Sequence, residues 1–186
     1  MDARYEPLAQ PRFEIIASPT GEQFRVKARK QIFVLLFLPV WLLGWTAGGI
    51  TAGSQALTSH EPFLILWLCF WAVGWVFASG TLLWMISGAE TVRVTGNDLE
   101  LAHTLFGFSR RWLFQGSQIS GFGAVQSGPR FNSFAWQIPF VRIRQIGALK
   151  FNYGPRTVCF FAGLDEAEAV MILGRLLAKL PQSCAN

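Results

Sequence analysis

Residues 31–53 read QIFVLLFLPVWLLGWTAGGITAG, and residues 62–89 read PFLILWLCFWAVGWVFASGTLLWMISGA. Neither stretch contains Asp, Glu, Lys or Arg. Each exceeds the roughly 20 apolar residues that carry a helix across the hydrocarbon core of a bilayer. The expectation is a transmembrane helical hairpin over residues 31–89, with spans at about 31–53 and 62–87. A soluble hairpin this apolar would need a large protein around it, and the whole chain has 186 residues. Pro39 removes one backbone donor from the first span, a loss that neighbouring groups in a membrane commonly offset. A cleaved signal sequence fits the first stretch poorly, because it starts 30 residues in and lacks a small-residue exit.

Composition agrees with that reading. Hydrophobic residues make up 52% of the chain and charged residues 15%, against roughly 25% charged in an ordinary soluble domain. Eight Trp and 17 Phe exclude an intrinsically disordered chain, which is poor in aromatics. Cys69, Cys159 and Cys184 are far apart with no C-x-x-C pair, so neither a disulfide framework nor a cysteine metal site is encoded. All 16 Lys and Arg lie outside the apolar stretches: six precede the first and ten follow the second, with none in the connecting loop. Positive residues stay on the cytoplasmic side, so both termini are expected in the cytoplasm and the short loop outside.

Outside the hairpin, residues 90–186 are enough for one small domain. Residues 91–95 (TVRVT) alternate, Gly96-Asn97-Asp98 is a turn signal, and residues 99–103 alternate again, which reads as a β-hairpin. Further strands are expected at 108–115, 118–123, 140–146, 148–153 and 157–161, with Gly154-Pro155 turning between the last two. The period then changes. Asp165 and Glu168 form a capping-box pattern, and Val170, Leu173, Leu177 and Leu180 fall at helical spacing until Pro181, giving a helix at about 165–180. Strands followed by one amphipathic helix make an α+β arrangement in the order of a pleckstrin-homology-like barrel; another strand-rich topology with a flanking helix is the competitor. Residues 1–30 form an N-terminal segment in which 13–17 and 24–27 are either strands joining the same sheet or part of an extended arm.

The basic run 25–30 (RVKARK), the WLLGW and WAVGW cores at 41–45 and 71–75, and GALKFNYGPRTVCFFAGLDEAEA at 147–169 together resemble a group of small bacterial two-span membrane proteins with a pleckstrin-homology-like cytoplasmic domain. The resemblance covers most of the chain after residue 20. It implies that fold, that topology and a bacterial inner-membrane location, but no reaction.

Chemistry-bearing motifs are sparse. His103 shares strand parity with Leu99 and Leu101 and reads as a strand residue without an identifiable partner for general-base work. The acidic residues 165–168 suit a helix start. No GxSxG, HExxH, P-loop or Rossmann fingerprint is present. These features point away from an enzyme, and no cofactor or metal is expected.

Three constellations remain. In the spans, Trp41, Gly44 and Trp45 match Trp71, Gly74 and Trp75 as a weak inverted repeat, and Gly44–Gly48 and Gly49–Gly53 have the spacing that lets helices approach closely. These residues either pack the hairpin's own seam, dock on another membrane protein, or line a flat slot for pigment, quinone or lipid. Arg25, Lys27, Arg29 and Lys30 precede the first span and fix topology or attract anionic lipid. Arg142 and Arg144, with Arg110 and Arg111, would make a basic patch for a lipid headgroup or acidic peptide. Finally, Phe131, Phe134, Trp136 and Phe140 crowd residues 128–140 (GPRFNSFAWQIPF), as an exposed aromatic loop or a bent strand in the core. Nucleic acid is a poor fit, since the basic residues form no clustered stripe.

The expectation is therefore a non-enzymatic scaffold, accessory or assembly subunit, docked in the bilayer through the hairpin and presenting its domain to a protein or lipid partner. A homo-oligomer is an equal use of the small-residue faces. The alternative is an accessory subunit of a photosynthetic or respiratory complex, touching pigment, quinone or lipid through its midmembrane aromatics.

Overall fold

A computed structural model describes residues 11–18, 21–59, 61–125 and 147–181. His60, Cys184 and the whole of 126–146 lie outside the described residues, and with them the expected strand at 140–146, Arg142, Arg144, Phe131, Phe134, Trp136 and Phe140.

Chain order is β1 (Phe13–Ser18), β2 (Gly21–Lys27), α1 (Ile32–Ser59), α2 (Pro62–Ser87), β3 (Ala89–Thr95), β4 (Asp98–Leu105), β5 (Phe108–Phe114), β6 (Ile119–Ala124), β7 (Leu149–Tyr153), β8 (Arg156–Phe160) and α3 (Glu166–Leu177). A single 3-10 turn, Gly116–Gln118, joins β5 to β6. The strands form two antiparallel sheets, one in the order β1-β2-β3-β4-β5 and one in the order β6-β7-β8. The fold is α+β with two long apolar helices.

Residues 13–18 and 21–27 are thus strands of the sheet and not an extended arm. Val26 sits opposite Glu90 and Phe24 opposite Val92 in register, so the helical hairpin is inserted between two neighbouring strands. Alternation explains why β2 joins: Phe24 and Val26 are buried, while Gln23 and Arg25 between and beside them take the other face.

α1 and α2 are 28 and 26 residues long, and both are long and apolar enough to cross a membrane. At about 1.5 Å per residue, either exceeds the roughly 30 Å hydrocarbon core. α1 runs on past Gly53 to Ser59, further than its apolar run. There, hydroxyls fold back on the helix: Ser54 donates to the Thr51 carbonyl (2.7 Å), Thr58 and Ser59 to that of Gln55 (2.8 and 3.0 Å). Polar side chains satisfied within their own helix need no span to carry them. α2 starts with Pro62, whose missing N–H is unneeded in a first turn.

The core lies between the two sheets and under α3. Phe24, Val92, Leu99 and Leu101 from the larger sheet meet Leu149, Phe151 and Phe160 from the smaller one. Phe114, Phe122 and Phe160 surround Phe151 at centroid distances of 5.1, 5.7 and 6.1 Å, tilted or edge-on as aromatic quadrupoles prefer. α3 adds Ala169, Ile172 and Leu176. Its start is closed by a full capping box: Asp165 accepts from the Glu168 amide at 2.9 Å, and Glu168 accepts from the Asp165 amide at 3.2 Å.

Candidate functional site

The hairpin seam is built from the paired tryptophans. Trp41 and Trp45 lie one turn apart with centroids 3.8 Å apart, Trp45 meets Trp71 across the helices at 4.7 Å, and Trp71 meets Trp67 at 4.6 Å. Glycines make the room. A Cβ on Gly49 would come 2.9 Å from Trp71 Nε1, one on Gly48 would be 3.5 Å from the same ring, and one on Gly74 would be 3.2 Å from Trp45. Trp75 Nε1 donates to the Thr46 hydroxyl at 2.8 Å, and that hydroxyl donates to the Leu42 carbonyl at 2.7 Å. Trp41, Trp45, Trp71, Trp75, Gly48, Gly49 and Gly74 are thereby engaged within the hairpin. Gly44 and Gly53 stand clear: a Cβ on either would meet nothing within 4 Å.

Where the helices meet the sheet, the strands form a polar row. Two two-residue turns set its register: Glu90 lies opposite His103, and His103 opposite Arg110. Glu90 is 5% exposed and His103 2%. The His103 ring lies between two indoles, Trp84 of α2 at 5.3 Å and Trp112 of β5 at 4.8 Å, and the Arg110 guanidinium sits 5.5 Å from the Trp112 centroid. A Glu90 carboxylate oxygen accepts the Phe161 amide at 2.5 Å. Phe161 holds φ +59°, a left-handed conformation that disfavours a bulky side chain. Its fully buried ring and this charge-assisted bond hold it there.

The row is a clasp. Through Glu90 it ties the larger sheet to the loop before α3, and through Trp84 and His103 it ties the last turn of α2 to β4. The neck itself is short: one residue, Gly88, joins α2 to β3, and its carbonyl accepts the Ala28 amide at 2.8 Å. A side chain at Gly88 would collide with the carbonyl and indole of Trp84.

The face of the larger sheet turned away from the core is different. Arg25, Thr91, Ala102 and Arg111 lie in one register row, and Gln23, Arg93, Glu100 and Leu113 in the next. Arg93 Nε and Nη2 both reach Glu100 Oε2, at 2.8 and 2.6 Å, and Arg111 lies 3.6 Å from the other oxygen. These groups line a shallow pocket of about 100 Å³. Two guanidiniums on one carboxylate, with Arg25 further along the same face, leave it net positive.

Arg110 and Arg111 therefore belong to opposite faces of β5, as strand alternation requires, and do not combine into one patch. Arg111 and Arg25 share the outer face. Lys27 is exposed and paired with Glu14 at 2.6 Å. That pairing, through its hydrogen bond first and its charge second, holds the Glu14 carboxyl below its ordinary range. Arg29 and Lys30 are exposed between β2 and α1. Burial pushes the Cys159 thiol up, which keeps it protonated and a poor nucleophile. Among the described residues no group of three His, Cys, Asp or Glu side chains is arranged to hold a metal ion.

Sequence reasoning missed Glu90 and the row it starts. The signal was present: counting outward from the turns at Gly96-Asn97 and Phe106-Gly107 places Glu90, His103 and Arg110 side by side. No protein-family model, curated protein or solved structure matches the chain.

Proposed function

We propose that this chain is a membrane-anchored, non-enzymatic scaffold or accessory subunit that presents a pleckstrin-homology-like domain at a set orientation beside a bacterial inner membrane. In this reading α1 and α2 cross the bilayer with both termini cytoplasmic. The outer face around Arg25, Arg93 and Arg111 receives an acidic segment of a partner protein.

One observation carries the reading: the two helices leave from and return to neighbouring strands of one sheet, through a neck closed by the Ala28–Gly88 hydrogen bond. A flexible tether would serve an anchor equally well. A neck this short, with Trp84 wedged against His103, serves an orientation. The distribution of Lys and Arg supports the topology, since none lies in the loop between the helices. A structural rather than catalytic role suits Glu90 and His103, which no solute reaches unless Trp84 or Trp112 moves.

Lateral docking through glycine rests on Gly44 and Gly53, because the hairpin itself occupies Gly48, Gly49 and Gly74.

Photocrosslinking in native membranes tests the proposal. A photoreactive residue at Ser109, on the pocket rim, should yield a discrete adduct with another membrane protein. The adduct should fall several-fold in yield in an R25E/R111E chain. Equal, diffuse labelling from Ser109 and from Met171 on α3 would contradict it.

A further inference from the structure

The β4–β5 turn carries a feature that the domain's own packing does not use. Leu105 pairs with Phe108, so Phe106 and Gly107 form the two-residue tip of the hairpin. Both have positive φ, +47° and +85°, the pattern of a type I′ turn, which strongly favours Asn-Gly or Gly-Gly. A phenylalanine in the first position bears a left-handed strain of roughly 1–2 kcal/mol. Its ring is nevertheless 57% exposed, and that of Phe108 is 76% exposed. Two aromatic rings stand in the open on a turn that is better made without one of them.

Their position supplies the reason. Thr104 lies opposite Ala89, the first residue after the α2–β3 neck. At about 3.3 Å per residue the tip extends roughly 5 Å beyond that level, beside the last turn of α2, whose Trp84 packs on His103 of the same strand. Leu83 and Ile86 on that turn are themselves exposed. Lys27 lies in register with Ala89 and Thr104, Arg29 and Lys30 follow it towards α1, and Arg110 lies two residues from Phe108. Apolar rings at the level of a span's end, with Lys27 and Arg110 one step behind them and Arg29 and Lys30 beside them, match a leaflet's boundary between acyl chains and phosphates.

We propose that the β4–β5 tip is a third membrane contact, in which Phe106 and Phe108 enter the interfacial layer of the leaflet that α2 leaves. The inference rests on α1 and α2 being membrane spans. It gives the domain two points of attachment, the neck and the tip, and so resists rocking about the neck.

The test uses the full chain with its native cysteines replaced (C69A, C159A, C184S), in vesicles of phosphatidylethanolamine and phosphatidylglycerol. A nitroxide is placed in turn at Phe108→Cys, Phe106→Cys, Leu36→Cys within α1 and Leu113→Cys at the far end of β5. Relaxation by oxygen and by a water-soluble nickel chelate then reports depth. The expected result is an oxygen-to-nickel ratio several-fold higher at 106 and 108 than at 113, though below that at 36. Lipid-like values at 36 with water-like values at 106 and 108 would overturn the proposal while leaving the spans intact. Protection from both reagents at 106 and 108 would also overturn it, by placing protein rather than lipid on the tip. Water-like values at 36 would overturn the span reading itself, and the tip proposal with it.

Discussion

The hairpin and the sheet domain are both rich in large apolar residues, yet they turn them in opposite directions. In the hairpin, Ile32, Phe33, Leu36, Val40, Phe63 and Phe70 are exposed, while the buried residues are few: Leu42, Ala56, Trp84 and Met85. In the domain, Phe24, Phe151, Phe160 and Phe161 are fully buried, and among the described charged residues only Glu90 is buried with them. Water drives the second arrangement. The first suits a lipid solvent, in which association depends on close packing and on satisfied polar groups. Indole against glycine, and Trp75 N–H on Thr46, do that work in the seam.

The largest effect that can break this comparison is removal of one core ring. Phe151→Ala should destabilise the domain by about 3–5 kcal/mol, read as a lower denaturant midpoint by near-UV circular dichroism in mild detergent. Leu36→Ala, an equally apolar truncation on the exposed side of α1, should leave that midpoint unchanged. A similar loss for both would mean that α1's outer side is packed against protein.

Within the hairpin, Gly49→Leu and Gly74→Leu should splay the seam at a cost of about 1–3 kcal/mol, the usual range for overpacking. The shift should appear in tryptophan emission. A Cβ on Gly44 meets nothing within 4 Å, so Gly44→Leu should leave the emission unchanged; if it also weakens capture of a membrane partner, Gly44 belongs to a docking face. Equal emission changes for all three would contradict the seam.

The smallest effect is electrostatic. Because the folded Glu14 carboxyl titrates below its ordinary range, beside Lys27, its contribution is present above the unfolded carboxylate pKa. It is lost as pH falls through the lowered folded value. Melting curves of the native chain and of Glu14→Gln should differ slightly at neutral pH and converge in acid, and added salt should shrink the gap at neutral pH. A gap that persists in acid would point to packing rather than charge.

Much of the sheet domain was legible because its signals are local. The Gly96-Asn97 turn set β3 against β4, Gly154-Pro155 set β7 against β8, and Asp165 with Glu168 marked the start of α3. The role of residues 13–27 was left open because β2's partner, β3, lies beyond both helices, and no local pattern reports a pairing across such an insertion. The seam was ambiguous for a related reason: Trp and Gly at matching positions favour close approach but do not say to which helix. Glu90 was missed because a carboxylate directly after an apolar run reads as the first solvated residue. Its burial depends on His103, opposite it on β4, and on the Phe161 amide 71 residues further along the chain.

The central claim is that the neck couples hairpin and sheet into one unit. A pulsed electron-resonance distance between nitroxides at Leu57, near the far end of α1, and Met171, on α3, tests it most directly in lipid nanodiscs. The account predicts a single narrow distance distribution that broadens in Gly88→Ala, where the added carbon collides with Trp84. A broad distribution in the native chain would contradict it, and would make the helices a tether rather than a mount.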